Sequence, residues 1–324
     1  MDGTELMDLS EEELLEAIRR VLSGTGPEVR VGVGDDAAVL APTGGELVVT
    51  TDVLVEDVHF LRSSTGARDL GHKAIVVNVS DIAAMGASPR AAVCALTLPH
   101  DVEAAWVMEL LGGMREACEE YALWLVGGDL SRGREASIAV TVTGEVAPGR
   151  AVLRSGARSG DHVVVTGELG GSAAGLRLTG LRTMPTEAQR ALIRRHTRPT
   201  ARVGEGGVLA GQGATAMMDI SDGLALDLTR LCRASGVAAT IAIADVPVAD
   251  LATLEEALGG GEDYELLATM PNEAAIEAAR AELKGAFGVP LSVIGTIVEG
   301  AGVTAVDADG TERPLEPIGW DHFR

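Results

Sequence analysis

One stretch of this 324-residue chain restricts its fold more than any other: Ala74-Ile75-Val76-Val77-Asn78-Val79-Ser80-Asp81-Ile82-Ala83-Ala84-Met85 is apolar on nearly every face when wound as a helix. Such a helix has to be buried. Asp81 then sits where an uncompensated carboxylate costs about 2 kcal/mol or far more, unless it is paired or ligates a metal. Asn78 lies three residues away on the same helical face. A salt bridge to Lys73 or an arginine is the plainer explanation of Asp81, and a metal site the sharper one.

Length, at roughly 150 residues per domain, points to two domains. Apolar residues at 46% and charged residues at 23% give ordinary globular composition, while aromatic residues at only 2% leave the core to Ala, Val, Leu and Ile. Ser10 and Glu13 form a capping box ahead of an amphipathic helix carrying Leu14, Leu15, Ile18 and Leu22. Strand patterns follow at 29–33, 37–40 and 46–51, then a helix over about 71–85, a strand at 91–98, a helix after Asp101, and strands at 123–126 and 137–146. Pro148-Gly149 and the stretch 155–160 mark the boundary. Beyond it come a strand at 162–166, a Gly-rich turn at 167–171 running into a helix, a strand at 214–218, a helix from Leu224, and strands near 264–269 and 291–298. The expected fold is α/β, of α+β type, with domains at 1–149 and 150–324.

Charge narrows the partners. Lys plus Arg number 26 against 48 Asp plus Glu, a net charge of −22. Nucleic acid and anionic membranes both bind through cationic side chains, so neither is an expected partner. A phosphate-bearing ligand would need cations to accompany it. Cys94, Cys118 and Cys232 are an odd count with no CxxC spacing, which argues for a reducing compartment and against a disulfide framework or a zinc site. The acidic N-terminus lacks the basic segment of a secretory signal, and no apolar run approaches the ~18 residues of a membrane span. These features predict a cytoplasmic protein.

Acidic residues recur where strands give way to turns: Gly34-Asp35-Asp36, Thr50-Thr51-Asp52, Gly127-Gly128-Asp129 and Asp219-Ile220-Ser221-Asp222-Gly223. Ligands of α/β folds sit at strand C-termini, and Asp, Ser and Thr oxygens are the hard donors that Mg²⁺ selects. Taken singly, each site also reads as a turn former, and Ser221 or Asp222 as a cap of the following helix. Four of one chemical type favour metal. Residues 66–73 (GARDLGHK) have P-loop-like spacing, but Ala74 replaces the required Ser or Thr, so this is not a Walker A motif. Gly167-Glu168-Leu169-Gly170-Gly171-Ser172 has the strand, turn, helix order of an anion site, with tight packing the plainer reading. His59, His72, His100, His162, His196 and His322 show no metal-ligand spacing.

In order along the chain, GVGDDAAVL (32–40), TTDVLVEDVHF (50–60), GHKAIVVNVSDIAAMGASPR (71–90), VGGDLSRG (126–133), LRSGARSGD (153–161), MDISDGL (218–224), GGEDYEL (260–266) and GWDHF (319–323) together resemble the thiamine-monophosphate kinase family, of the aminoimidazole ribonucleotide synthetase-like superfamily. The resemblance implies a homodimer in which N-terminal sheet domains pair, ATP bound near that interface, and Mg²⁺-dependent transfer of the ATP γ-phosphate to thiamine monophosphate. It assigns several Mg²⁺ ions to Asp36, Thr50, Thr51, Asp52, Asp81, Asp129, Asp219 and Asp222. ATP contacts fall to Gly128, Asp129, Arg154 and Ser221, and substrate contacts to His59, Glu262 and Trp320. Trp320 stands where Tyr or Phe is usual, and Leu130 where Thr is common. The acceptor phosphate is already ionised near neutral pH, so no catalytic general base is expected and His59 should bind rather than move a proton. Selenophosphate synthetase and the carbamoyl-dehydrating maturation protein of the same superfamily rely on an N-terminal or a C-terminal Cys, and this chain has neither. A non-catalytic divalent-cation or nucleotide-binding protein would explain the acidic turns but not Asp81 together with Arg154.

Overall fold

A computed structural model describes residue 17, residues 20–21, 27–31, 38–42, 44–180 and 183–320. The Ser10–Glu13 capping box, Asp36 and His322 lie outside the described residues. The chain divides into two compact units, 1–82 with 88–148, and 83–87 with 149–324.

The first unit holds a four-stranded sheet of β3 (Glu46–Val55), β4 (Ser88–Leu98), β5 (Trp124–Arg132) and β6 (Ser137–Val146), ordered β3-β6-β4-β5, beside a short β1 (Val29–Val31) and β2 (Val39–Leu40) pair. β6 runs antiparallel to both neighbours, while β4 and β5 are parallel. Helix α1 (Ala67–Ala84) and helix α2 (Ala104–Glu120) supply the other side of the core. The apolar stretch that ruled the sequence reading is indeed interior: Ile75, Val76, Val79 and Ile82 are fully buried. Two glycines set how closely the helices cross, since a Cβ on Gly71 would lie 1.9 Å from Leu110 O and one on Gly113 1.8 Å from Arg68 O. The other face of the sheet is open. Leu47, Val49, Val53 and Val93 are exposed at 64%, 56%, 45% and 40%.

Two strands run further than expected. Thr50-Thr51-Asp52 lies mid-strand, because all ten residues of β3 pair with β6 and the chain turns only beyond it, at Asp57 with φ 65°. Gly127-Gly128-Asp129 is likewise inside β5, which pairs with β4 as far as Arg132. Gly128 serves close strand approach, a Cβ there falling 1.9 Å from Cys94 O, rather than a turn.

The second unit is built on a seven-stranded sheet ordered β13-β12-β9-β11-β7-β10-β8. Its strands are β7 (His162–Thr166), β8 (Ala216–Asp219), β9 (Ala238–Ala242), β10 (Leu266–Met270), β11 (Leu291–Val298), β12 (Gly302–Val306) and β13 (Glu312–Pro314), all antiparallel neighbours except β9 and β12. Around it lie α3 (Gly171–Thr179), α4 (Glu187–Thr197), α5 (Val203–Gly211), α6 (Leu224–Ser235), α7 (Leu254–Gly259) and α8 (Glu273–Ala286). Val163 and Val165 pack with Leu224, Leu228 and Leu231 of α6, whereas Val164 packs with Leu209, Ile276 and Leu283 of α5 and α8. Both faces of β7 are therefore covered, which is why it reads as an unbroken apolar run. Cys94, Cys118 and Cys232 are buried free thiols. Among the described residues no helix is long and apolar enough to cross a membrane.

Candidate active site

In the first unit β3 and α1 bring together two of the expected ligands: Thr50 Oγ1 donates to Asp81 Oδ2 at 2.5 Å. Asp81 is half-buried rather than sealed, because it faces β3, an edge strand of the sheet. Asp52 lies level with buried Val140 of β6, on the face that also carries Thr50 and buried Leu54. Thr51 points the other way, where its hydroxyl donates to Val140 O at 3.0 Å and accepts from Thr141 Oγ1 at 3.0 Å. Asp129 is exposed, accepts from Ser131 Oγ at 2.8 Å, and sits on β5 at the opposite edge of the sheet. Three strand spacings, about 14 Å, separate β5 from β3, so this sheet does not gather Asp129 with Asp52 and Asp81.

His59 follows β3. Its ring Nδ1 accepts the Val55 N–H at 3.0 Å, and the His59 backbone N–H donates to Val55 O at 2.9 Å. A ring nitrogen that accepts carries no proton, so the neutral imidazole holds its hydrogen on Nε2 and acts there as a donor.

In the second unit Asp219 closes β8 and is buried, and the loop after it runs to Gly223, whose φ of 119° only glycine adopts readily. Glu262 N–H donates to Ser221 O at 2.8 Å, Tyr264 N–H to Ile220 O at 2.9 Å, and Trp320 N–H to Asp222 O at 3.0 Å. Ser221, Asp222, Glu262 and Trp320 thus sit on three adjoining backbones, with Trp320 half exposed. Neither Ser221 nor Asp222 caps α6 through its side chain. That task falls to Asp227 inside the first turn, whose Oδ2 accepts the N–H groups of Asp222 at 3.0 Å and Gly223 at 3.1 Å. Its Oδ1 accepts from Arg230 at 2.9 Å, and burial pushes this carboxyl up to about 6. Arg230 also pairs with Asp222. Arg154 is not part of this group: its carbonyl meets Ser235 Oγ at the C-terminal end of the twelve-residue α6, about 18 Å from the N-terminal end.

The Gly-rich turn at 167–171 is occupied by protein. Asp263, buried and pushed up to about 6 mainly by that burial, accepts the N–H of Gly170 at 2.6 Å and of Ser172 at 3.0 Å. Glu265 accepts from Thr166 Oγ1 at 2.7 Å and from Arg202 Nη2 at 2.5 Å. His196 Nδ1 lies 3.1 Å from Glu262 Oε2 and 3.1 Å from Ser172 Oγ. Sequence reasoning passed over Asp227, Asp263, Glu265, Arg202 and His196. For Asp227 the signal was a carboxylate in the first turn after a glycine; for Asp263 and Glu265 it was charge embedded in an apolar strand approach. Among the described residues no three His, Cys, Asp or Glu side chains gather to hold a metal ion.

Comparison with known proteins decides the family. Models of the AIR synthase related protein match residues 34–146 with its N-terminal domain and 158–308 with its C-terminal domain. The thiamine-monophosphate kinase of Escherichia coli K12 is 40% identical over 309 residues, 91% of this chain and 93% of that one. The Aquifex aeolicus enzyme of the same name is 39% identical over 98% of this chain and 99% of its own. This chain belongs to the thiamine-monophosphate kinase family. Among solved structures, the thiamine-monophosphate kinase of Stenotrophomonas maltophilia K279a is 36% identical with a TM-score of 0.81 over 93% of this chain and 97% of that one. AaThiL complexed with AMPPCP and TMP is 37% identical, with a TM-score of 0.77 over the whole of both chains. The hydrogenase maturation protein HypE, at 22% identity and a TM-score of 0.75, shares the fold alone.

Proposed function

We propose that this protein transfers the γ-phosphate of ATP to thiamine monophosphate, giving thiamine diphosphate and ADP by direct in-line transfer. The observation that carries the reading is the 39% identity to the A. aeolicus kinase across nearly the full length of both chains. The AaThiL complex with AMPPCP, an ATP analogue, and TMP supports the pair of substrates. Exposed Trp320, whose backbone binds the same Ser221–Asp222 segment as the Glu262 backbone, suits a flat cationic ring such as thiazolium through its aromatic face, with Glu262 as the proposed opposite charge.

Mg²⁺, when bound, would neutralise phosphate and carboxylate charge together. The donor set fits the kind of Mg²⁺ site that takes one or two carboxylates, keeps waters and shares phosphate oxygens, rather than an all-protein cage. Thr50, Asp52 and Asp81, with Asp36, are the proposed donors of the first unit, and Asp219 and Asp222 those of the second. The proposed roles of Thr51, Asp129, Gly128, Arg154 and Ser221 rest on the motifs. Asp222 would exchange its Arg230 partner for the cation. His59, protonated on Nε2 when neutral, can donate to an anion but cannot take a proton there, which supports transfer without a general base. The exposed Leu47, Val49, Val53 and Val93 face supports pairing of two copies through their first-unit sheets.

The test is ADP release by the purified protein with ATP, excess Mg²⁺ and thiamine monophosphate. Formation of thiamine diphosphate in equal amount is expected, with a further rise in rate when Mg²⁺ exceeds ATP. No acceptor-dependent ADP would overturn the reading.

A further inference from the structure

Glu262 stands on a strained and tightly braced piece of backbone. Its φ is 65° and that of Tyr264 is 53°, both left-handed for residues that carry a Cβ. Three anchors hold the loop in that shape: the N–H groups of Glu262 and Tyr264 bond to Ser221 O and Ile220 O, and the buried Asp263 carboxylate between them grips the first turn of α3. The backbone is therefore fixed from two sides. A glutamate side chain nevertheless has three rotatable bonds beyond that backbone, and nothing in the loop itself settles where its carboxylate points.

The last turn of α4 does. Arg194, Arg195 and His196 are its basic residues, a placement favoured by the negative end of the helix dipole. Arg195 reaches the Glu168 carbonyl and comes within 3.9 Å of Glu265. His196 reaches Glu262 Oε2 at 3.1 Å, its ring held in place by Ser172 Oγ at 3.1 Å. Ser172 is itself buried at the start of α3, where its N–H is bound by Asp263. The carboxylate beside Nδ1 selects the form of the ring protonated there, because a lone pair in that position would repel it. Nδ1–H is then shared between Glu262 Oε2 and Ser172 Oγ.

We infer that His196 is a positioning residue for the acceptor site: held by Ser172, it fixes the plane of the Glu262 carboxylate and so sets the affinity for the ring system of the acceptor, with no contact to ATP. The inference rests on the proposed role of Glu262 in binding that acceptor.

The experiment compares His196→Leu, His196→Asn and Glu262→Gln in the full chain, reading KM for thiamine monophosphate, KM for ATP and kcat. Asn places an amide donor close to the position of Nδ1, whereas Leu removes the donor. Loss of a hydrogen bond to a charged group predicts about a tenfold rise in acceptor KM for His196→Leu. ATP KM and kcat should stay within twofold, and His196→Asn should recover most of the loss. In a variant combining His196→Leu with Glu262→Gln the two effects should fail to add, because His196 acts through Glu262. If Glu262→Gln raises acceptor KM but His196→Leu does not, the inference falls and the reading of Glu262 stands. If Glu262→Gln itself leaves acceptor KM unchanged, the reading of Glu262 is what fails. Equal rises in both KM values, with no recovery by Asn, would show that His196 only supports the fold and would overturn the inference.

Discussion

The Asp81 carboxylate of the first unit is half-buried and receives a hydrogen bond from the Thr50 hydroxyl. In the second unit Asp222, Asp227 and Glu265 are each met by a guanidinium, and Asp263 by two backbone N–H groups. Burial explains the contrast. Asp227, Asp263 and Glu265 are 0%, 8% and 2% exposed, and an ion so far from water must be answered by the fold itself. A half-buried carboxylate keeps its access to water and to dissolved cations. The buried carboxylates thus serve as anchors for loops, as does buried Glu56 of the first unit, met by Arg62 and the Ala136 N–H, while half-buried Asp81 keeps an edge open to water.

The contrast can be broken first at Arg202, which is held by Glu265 and Glu205. Arg202→Ala should lower the free energy of unfolding by about 3–5 kcal/mol, measured by chemical denaturation, because Glu265 is left buried and ionised. A loss under about 1 kcal/mol would mean that the second unit's ions are not anchors. The opposite signature is expected at Asp81. Asp81→Asn should cut kcat/KM by about 10²–10³-fold while the melting temperature in metal-free buffer holds or rises slightly. Retained activity with a large drop in melting temperature would place Asp81 among the anchors.

pH sharpens the comparison further. The Asp263 carboxyl is raised in the folded protein to about 6, against about 3.9 when unfolded. A raised carboxyl favours the folded state below its unfolded value and loses that contribution as pH climbs through its folded value. The stability of Asp263→Asn relative to the native chain should therefore improve between pH 4 and 7, on the order of 1–3 kcal/mol. A flat difference across that range would show that Asp263 is ionised without penalty. The smallest effect belongs to half-exposed Trp320. Trp320→Ala should raise acceptor KM about tenfold and leave that for ATP unchanged, and parallel changes in both would make the aromatic face a mere support.

What could be read in advance follows the range of the interactions. The apolar helix around Asp81 was visible because its burial is written in consecutive residues. So was the strand ending at Asp219, a short apolar run closed by a turn. The extents of β3 and β5 were not, because Thr-Thr-Asp and Gly-Gly-Asp carry turn chemistry locally while their pairing with β6 and β4 overrides it. The anchors were the least legible. Glu265 meets Arg202 across 63 residues and Asp263 meets Ser172 across 91, and no local pattern encodes which distant cation or helix start a carboxylate will find. Motif resemblance reached Glu262 but not its partner His196, since the contact is made by the fold.

The interior thiols give the molecule its own gauge of opening. Burial pushes Cys94 and Cys118 up to about 12 and Cys232 to about 11, so the thiolate that reacts with an alkylating reagent is scarce in the native state. Two of these thiols belong to the first unit and one to the second. Mass spectrometry of alkylated peptides would thus clock how often each unit opens, separately and in one tube, without any label being engineered into the chain.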